Sequence, residues 1–134
     1  MEENQIFDCI IIGAGVVGAA VFNKLTRIGK KCLLLDKASD VATGASKANS
    51  GLVHAGYDPE PNTLKAKMNI RGNKLFPSLC RRLGIKLRRC GALVVGDDEN
   101  KIQELYKRGI ENGVKVEIFD KEQLFERCQT LTKI

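Results

Sequence analysis

Residues 10–20 read IIIGAGVVGAA, and how that stretch is resolved decides the fold. Residues 8–12 are a short apolar run, rich in isoleucine, that ends at Gly13. The run does not alternate apolar with polar, which is the pattern of a strand covered on both faces, as in a parallel sheet. Val17, Ala20, Val21, Leu25 and Ile28 then recur at steps of three and four. That spacing predicts a helix over 16–28, stopped by Gly29. Residues 32–35 form a second apolar strand, closed by Asp36. Strand, glycine turn, helix and strand make a βαβ unit, so the fold class is α/β and Rossmann-like.

Gly13, Gly15 and Gly18 match G-x-G-x-x-G. The pattern is common by chance and gains meaning only from its context of strand before and helix after. Each glycine has a mechanical role there: Gly13 for the tight turn, Gly15 for close approach of a pyrophosphate, Gly18 for helix–strand packing. The helix N-terminus offers unpaired N–H groups and the positive end of its dipole to the phosphates. Asp36 follows Gly18 by 18 residues (36 − 18), near the ~20 expected for an acid that binds a ribose. Its carboxylate repels a 2′-phosphate and so argues against NADP. NAD and FAD both remain open on the fingerprint alone. The chain after the second strand points to FAD, because it enters a long loop of small residues, ATGASKANSGLVHAGY over 42–57, able to approach something large and flat.

Working outward, Leu64, Met68, Leu75, Leu79 and Leu83 have helical spacing. Pro77 is expected to break that helix near Phe76 and open a second one. GALVVG at 91–96 is predicted as a strand between glycines, 100–112 as a helix, 114–119 as a strand and 121–128 as a helix. The composition changes near Arg89, which places a first domain at 1–89 and the start of a second at 90–134. The truncated sheet edge expected there would be an unpaired one.

The 134 residues carry a formal charge of +6. The charge is concentrated: residues 61–96 hold no acid but nine bases, Lys65, Lys67, Arg71, Lys74, Arg81, Arg82, Lys86, Arg88 and Arg89. No stacking aromatics or recognition motif accompany them, so the run reads as a solvated or covered helix face, or as one that attracts an anionic ligand or partner, rather than a nucleic-acid site. The five cysteines are scattered, with no C-x-x-C. That excludes a zinc or redox dithiol motif and suits a reducing cytoplasm. The start, MEENQIFD, has no secretory pattern, and no apolar run reaches the length of a membrane span.

GAGVVGAA, LLLDK, GASKANSGLVHAGYD and TLKAKMNIRGNKLF together resemble the N-terminal part of FAD-dependent oxidoreductases of the D-amino-acid-oxidase type. The nearest branch is similar to anaerobic-type glycerol-3-phosphate dehydrogenases, with L-2-hydroxyglutarate oxidases second. The likeness implies a glutathione-reductase-type FAD-binding unit followed by the start of an α+β substrate domain. Gly13, Ala14, Gly15, Val16, Val17 and Gly18 would lie under the pyrophosphate. Asp36 would hold the adenosine ribose, with Lys37 beside it. Ser46, Lys47, Ala48, Asn49, Ser50, Gly51 and Leu52 would line the pyrophosphate and the flavin ring.

His54, the single histidine, is the candidate for proton transfer. A packed, hydrogen-bonded histidine is its alternative reading. The implied chemistry is oxidation of a small anionic 2-hydroxy compound with FAD as cofactor. No metal, nucleic acid or transmembrane segment is expected. A cytoplasmic location is expected, with peripheral membrane association left open for a longer form. Members of the family are much longer, so the resemblance implies a truncated, N-terminal piece that is inactive alone. Two other readings stand beside it: a non-catalytic fragment that needs a partner chain, and an NAD-binding Rossmann domain.

Overall fold

The computed structural model describes residues 5–127. The chain divides into two compact units, Met1–Leu52 and Val53–Ile134.

The first unit contains β1 (Cys9–Ile12), α1 (Val16–Arg27) and β2 (Cys32–Leu35). The strands pair in parallel with Cys9 opposite Cys32 and Ile12 opposite Leu35. Bonds beyond the strands extend the ladder at both ends, from Asp8 N–H to the Lys31 carbonyl at 2.8 Å and from Gly13 N–H to the Leu35 carbonyl at 2.7 Å. The expected βαβ order is therefore present as a small parallel sheet. Gly29, at φ +82°, ends α1. Its N–H donates to the Thr26 carbonyl and that of Lys30 to the Leu25 carbonyl, a Schellman closure that needs a left-handed residue at this point. Lys24 and Arg27 sit in the last turn, where the dipole favours cations.

The second unit carries α2 (Leu64–Leu83), α3 (Glu99–Glu111) and α4 (Lys121–Arg127). The Thr63 hydroxyl caps α2 by accepting from Ala66 N–H. The Asp98 carboxylate caps α3 by accepting from the N–H groups of Asn100 and Lys101. Side chains of α3 and of its C-cap hold the segment before α2. Asn112 donates to the carbonyls of Gly56 and Pro59 at 3.0 and 2.8 Å, and Arg108 donates to the Asp58 carbonyl while pairing with Glu60. Gly109 is buried against Val116 and Tyr57.

Two expectations are corrected here. The helix does not break at Phe76, and Pro77 lies inside a continuous α2. One missing N–H and a ring clash cost about 3 kcal/mol. A 20-residue helix, capped at both ends and seated through buried Ala66 and Cys80, outweighs that. The second correction concerns residues 91–96 and 114–119, which are not strands: among the described residues neither pairs with another segment. A strand exists only through its hydrogen-bonded neighbour, and among the described residues neither segment makes a ladder with one.

Among the described residues the buried apolar side chains are Ala14, Pro59, Ala66 and Cys80. Ile12 is 87% exposed, Val17 74% and Val16 68%. A parallel sheet ordinarily has both faces covered. Here the isoleucine run that predicted such burial leaves Ile10 and Ile12 open.

Candidate functional site

The turn between β1 and α1 is built almost entirely from main chain. Gly13 takes φ +103°, which a side chain would strain. A β-carbon at Gly18 would collide with the Gly13 carbonyl oxygen, so the helix can sit this close to the strand end only with nothing there. A β-carbon at Gly15 would meet just one atom within 4 Å, the Ser46 hydroxyl oxygen at 3.1 Å. The surface over Gly15 is otherwise open.

Four bonds pin the turn. Gly13 N–H reaches β2, as described, and the Ala14 carbonyl accepts from Ala42 N–H at 3.0 Å. Ala14 N–H donates to Asp36 Oδ2 at 2.6 Å, and Val16 N–H donates to Ser46 Oγ at 2.9 Å. Gly15, the N-cap of α1, has no side chain to cap with, so the Ser46 oxygen supplies the acceptor from thirty positions away. Among the described residues the N–H groups of Gly15, Val17 and Gly18 have no acceptor. Three donors therefore converge at the positive end of α1, beside a glycine that leaves room.

Asp36 is held by both oxygens, since Oδ1 accepts from Ala38 N–H at 2.9 Å. The Ala38 and then the Ala14 N–H keep its carboxyl below the ordinary aspartate range, against an opposing desolvation and with help from Lys37. It is an anion at neutral pH, standing at the C-terminal end of β2. Lys37 beside it is exposed.

In the loop that follows, residues 44–48 make a single tight turn, with Lys47 and Ala48 N–H both donating to the Gly44 carbonyl. Asn49 closes it: its amide donates to the Ser46 carbonyl at 2.7 Å and accepts from Gly51 N–H at 2.8 Å. The Asn49 side chain is thus engaged within the loop. Lys47, Ala48, Ser50, Gly51 and Leu52 are exposed. The structure brings Gly13 to Gly18, Asp36 and Ser46 together. The backbones of Ala38 and Ala42 join them, although nothing in their side chains signals it.

His54 belongs to the second unit. Its side chain is exposed and its carbonyl accepts from the Asn73 amide at 3.2 Å. The second unit also has a cavity of about 460 Å³, lined by Tyr57, Leu93, Val95, Leu105, Val116 and Phe119 among others. Its lining is mainly apolar, and its one cation, Lys115, is paired with Glu117 at 3.4 Å, which does not suit a phosphate or carboxylate. Among the described residues no three metal-binding side chains cluster, and no helix is long and apolar enough to cross a membrane.

The turn meets the demands of an FAD diphosphate: bare backbone, convergent donors, and an acid at the second strand's end. With that geometry established, known proteins supply an independent comparison. The model of the FAD dependent oxidoreductase family matches residues 8–134. A glycerol 3-phosphate dehydrogenase of Caloramator mitchellensis is 42% identical over 125 residues, covering 90% of this chain and 26% of that protein. A mitochondrial L-2-hydroxyglutarate dehydrogenase of Dictyostelium discoideum is 36% identical over 117 residues, covering 84% of this chain and 26% of its own length. For a glycerol 3-phosphate oxidase of Mycoplasma genitalium the identity is 36% over 131 residues, with 95% and 33% covered. The chain thus spans about a quarter to a third of the length of these relatives.

Proposed function

The chain belongs to the FAD dependent oxidoreductase family, and on that premise we propose that it is the FAD-binding portion of a flavin enzyme that oxidises a small anionic 2-hydroxy compound such as glycerol 3-phosphate. One observation carries the reading: the unpartnered N–H groups of Gly15, Val17 and Gly18 beside the open face of Gly15. A diphosphate laid there would accept from backbone donors already oriented by the helix, at no cost in reorganisation. The Ser46 hydroxyl, whose oxygen is used by Val16, keeps its own proton to donate to that diphosphate. Asp36 would accept from the ribose hydroxyls with its remaining lone pairs, and the bonds from Ala14 and Ala38 keep it ionised and aimed.

FAD, when bound, supplies the hydride acceptor. This chain's own residues bind and orient it. The exposed backbone of 47–52, shaped by Asn49, would flank the flavin side. His54 would take or give the substrate proton, because it is the one histidine of the chain. The glutathione-reductase-type unit would extend to about residue 89, and the substrate domain would begin near residue 90. The proposed compartment is the cytoplasm. The substrate class rests on the names that the relatives carry, one acting on glycerol 3-phosphate and another on L-2-hydroxyglutarate.

A second reading has its own observation. Ile10 and Ile12 are exposed on a two-stranded sheet and Val16 and Val17 on the helix that follows it, and such a pair of strands is marginal alone in water. The chain would then act only with further polypeptide, joined to it or separate. Titration of the purified chain with FAD and with NAD, followed by flavin fluorescence and thermal shift, tests the first reading. Saturable binding of FAD alone supports it, and binding of neither or of NAD alone overturns it. Recovery of FAD binding only after a downstream segment is supplied would favour the second.

A further inference from the structure

The sheet register sets Cys9 directly beside Cys32. Residues paired across a parallel ladder point to the same face. Ile11, two residues on from Cys9, faces α1, since a methyl group at Gly18 would touch its side chain at 3.4 Å. Both thiols therefore lie on the helix-facing side of the sheet, at the strand ends opposite the glycine turn. Each is half-buried and free. They also feel one another: desolvation first, and then Cys9, raises the Cys32 thiol above its ordinary range, with Asp8 adding to the rise and Lys30 opposing it.

We propose that Cys9 and Cys32 form a two-sulfur site for soft, thiophilic electrophiles, with trivalent arsenic as the type case. Strand spacing selects this over a disulfide. β-Carbons standing side by side on neighbouring strands are about 4.8 Å apart. A disulfide asks for about 3.5–4.5 Å, so a direct S–S bond would have to draw the strands together. One atom interposed between the sulfurs accepts the spacing as it is. With phenylarsine oxide the chemistry balances without a redox partner. Two S–H bonds and the arsenic–oxygen bond break, two As–S bonds form, and the oxygen leaves as water with both protons. Arsenic stays trivalent. Among the described residues Cys80 is buried and Cys90 exposed, and neither lies on a strand paired with another cysteine. A lone thiol holds the reagent through one bond only and surrenders it to excess monothiol.

The site lies away from Gly13 and Asp36, so its test is separate from the cofactor reading. The chain with Cys80, Cys90 and Cys128 replaced by Ser is treated with phenylarsine oxide and then with excess 2-mercaptoethanol, and its intact mass is measured. The expected result is a single retained arsenical, released by 2,3-dimercaptopropanol and absent after Cys9→Ser or Cys32→Ser. A tryptic digest of the unsubstituted, arsenical-treated chain provides the check that needs no variant. The peptide containing Cys9 should be joined through one arsenic to the peptide 32–37. Loss of the arsenical to monothiol, or its recovery on any other cysteine, overturns the proposal.

Discussion

Two apolar runs bounded by glycine sit in the two units of this chain, CIIIG at 9–13 and GALVVG at 91–96. Both are rich in β-branched or aliphatic residues, and both read as strands. The first is one, because Cys32–Leu35 runs alongside it and Gly13 adds a further bond to Leu35. The second carries no regular structure and is unpaired among the described residues. The same contrast holds for polar groups. At the glycine turn Ala14, Val16 and Asp36 find partners within the unit, while the backbone of 91–96 finds none. Apolar composition sets a readiness to be a strand, and only a neighbour at ladder distance completes it.

Substitutions can break or sharpen that contrast. The largest effect is expected at Gly18. In Gly18→Val a β-carbon would collide with the Gly13 main chain, which has no rotamer to yield. Denaturant unfolding of the first unit should lose about 3 kcal/mol or more. Proline at Ile11, in mid-ladder, should cost about 2 kcal/mol, read by loss of amide protection in β1 and β2. Gly15→Leu should leave the circular dichroism spectrum intact and abolish FAD binding in a fluorescence titration, because its side chain would cover the three free donors. A fold-preserving variant that still binds FAD would sink the assigned geometry.

A smaller effect belongs to acid. The depressed Asp36 carboxyl contributes stability that is fully present above the ordinary aspartate value of about 3.9. That contribution is lost as pH falls through the lower folded-state value. Asp36→Asn should therefore be less stable than the parent at pH 7, and the gap should close as pH drops below about 3.9. Unfolding curves at both ends of that range check the sign. The smallest effect is expected at Val94→Pro. Its N–H has no partner among the described residues, so stability should change by less than about 0.5 kcal/mol. A large loss there would mean that 91–96 is paired in solution.

Much of this was legible in the linear order of residues. The βαβ unit, the glycine roles and the acid after the second strand depend on local spacing. Steric exclusion at Gly18 and the reach from Asp36 back to Ala14 follow once strand, turn and helix are placed. Pro77 shows where local rules fail, since a rule about one N–H cannot weigh the caps and packing of twenty residues. Ser46 shows a different limit. The family resemblance marked it as a ligand contact, but its use as the acceptor for Val16 required the loop to fold back on the helix.

What the sequence determined by itself is therefore the order of elements in the first unit and the tight glycine turn between them, because periodicity, glycine conformation and charge act over a few residues. Tertiary structure alone decided which extended segments became strands, which donors stayed free, and which two cysteines came to stand together. Those outcomes depend on contacts between residues far apart in the chain, and a hydrogen bond or a shared face exists only when both partners arrive.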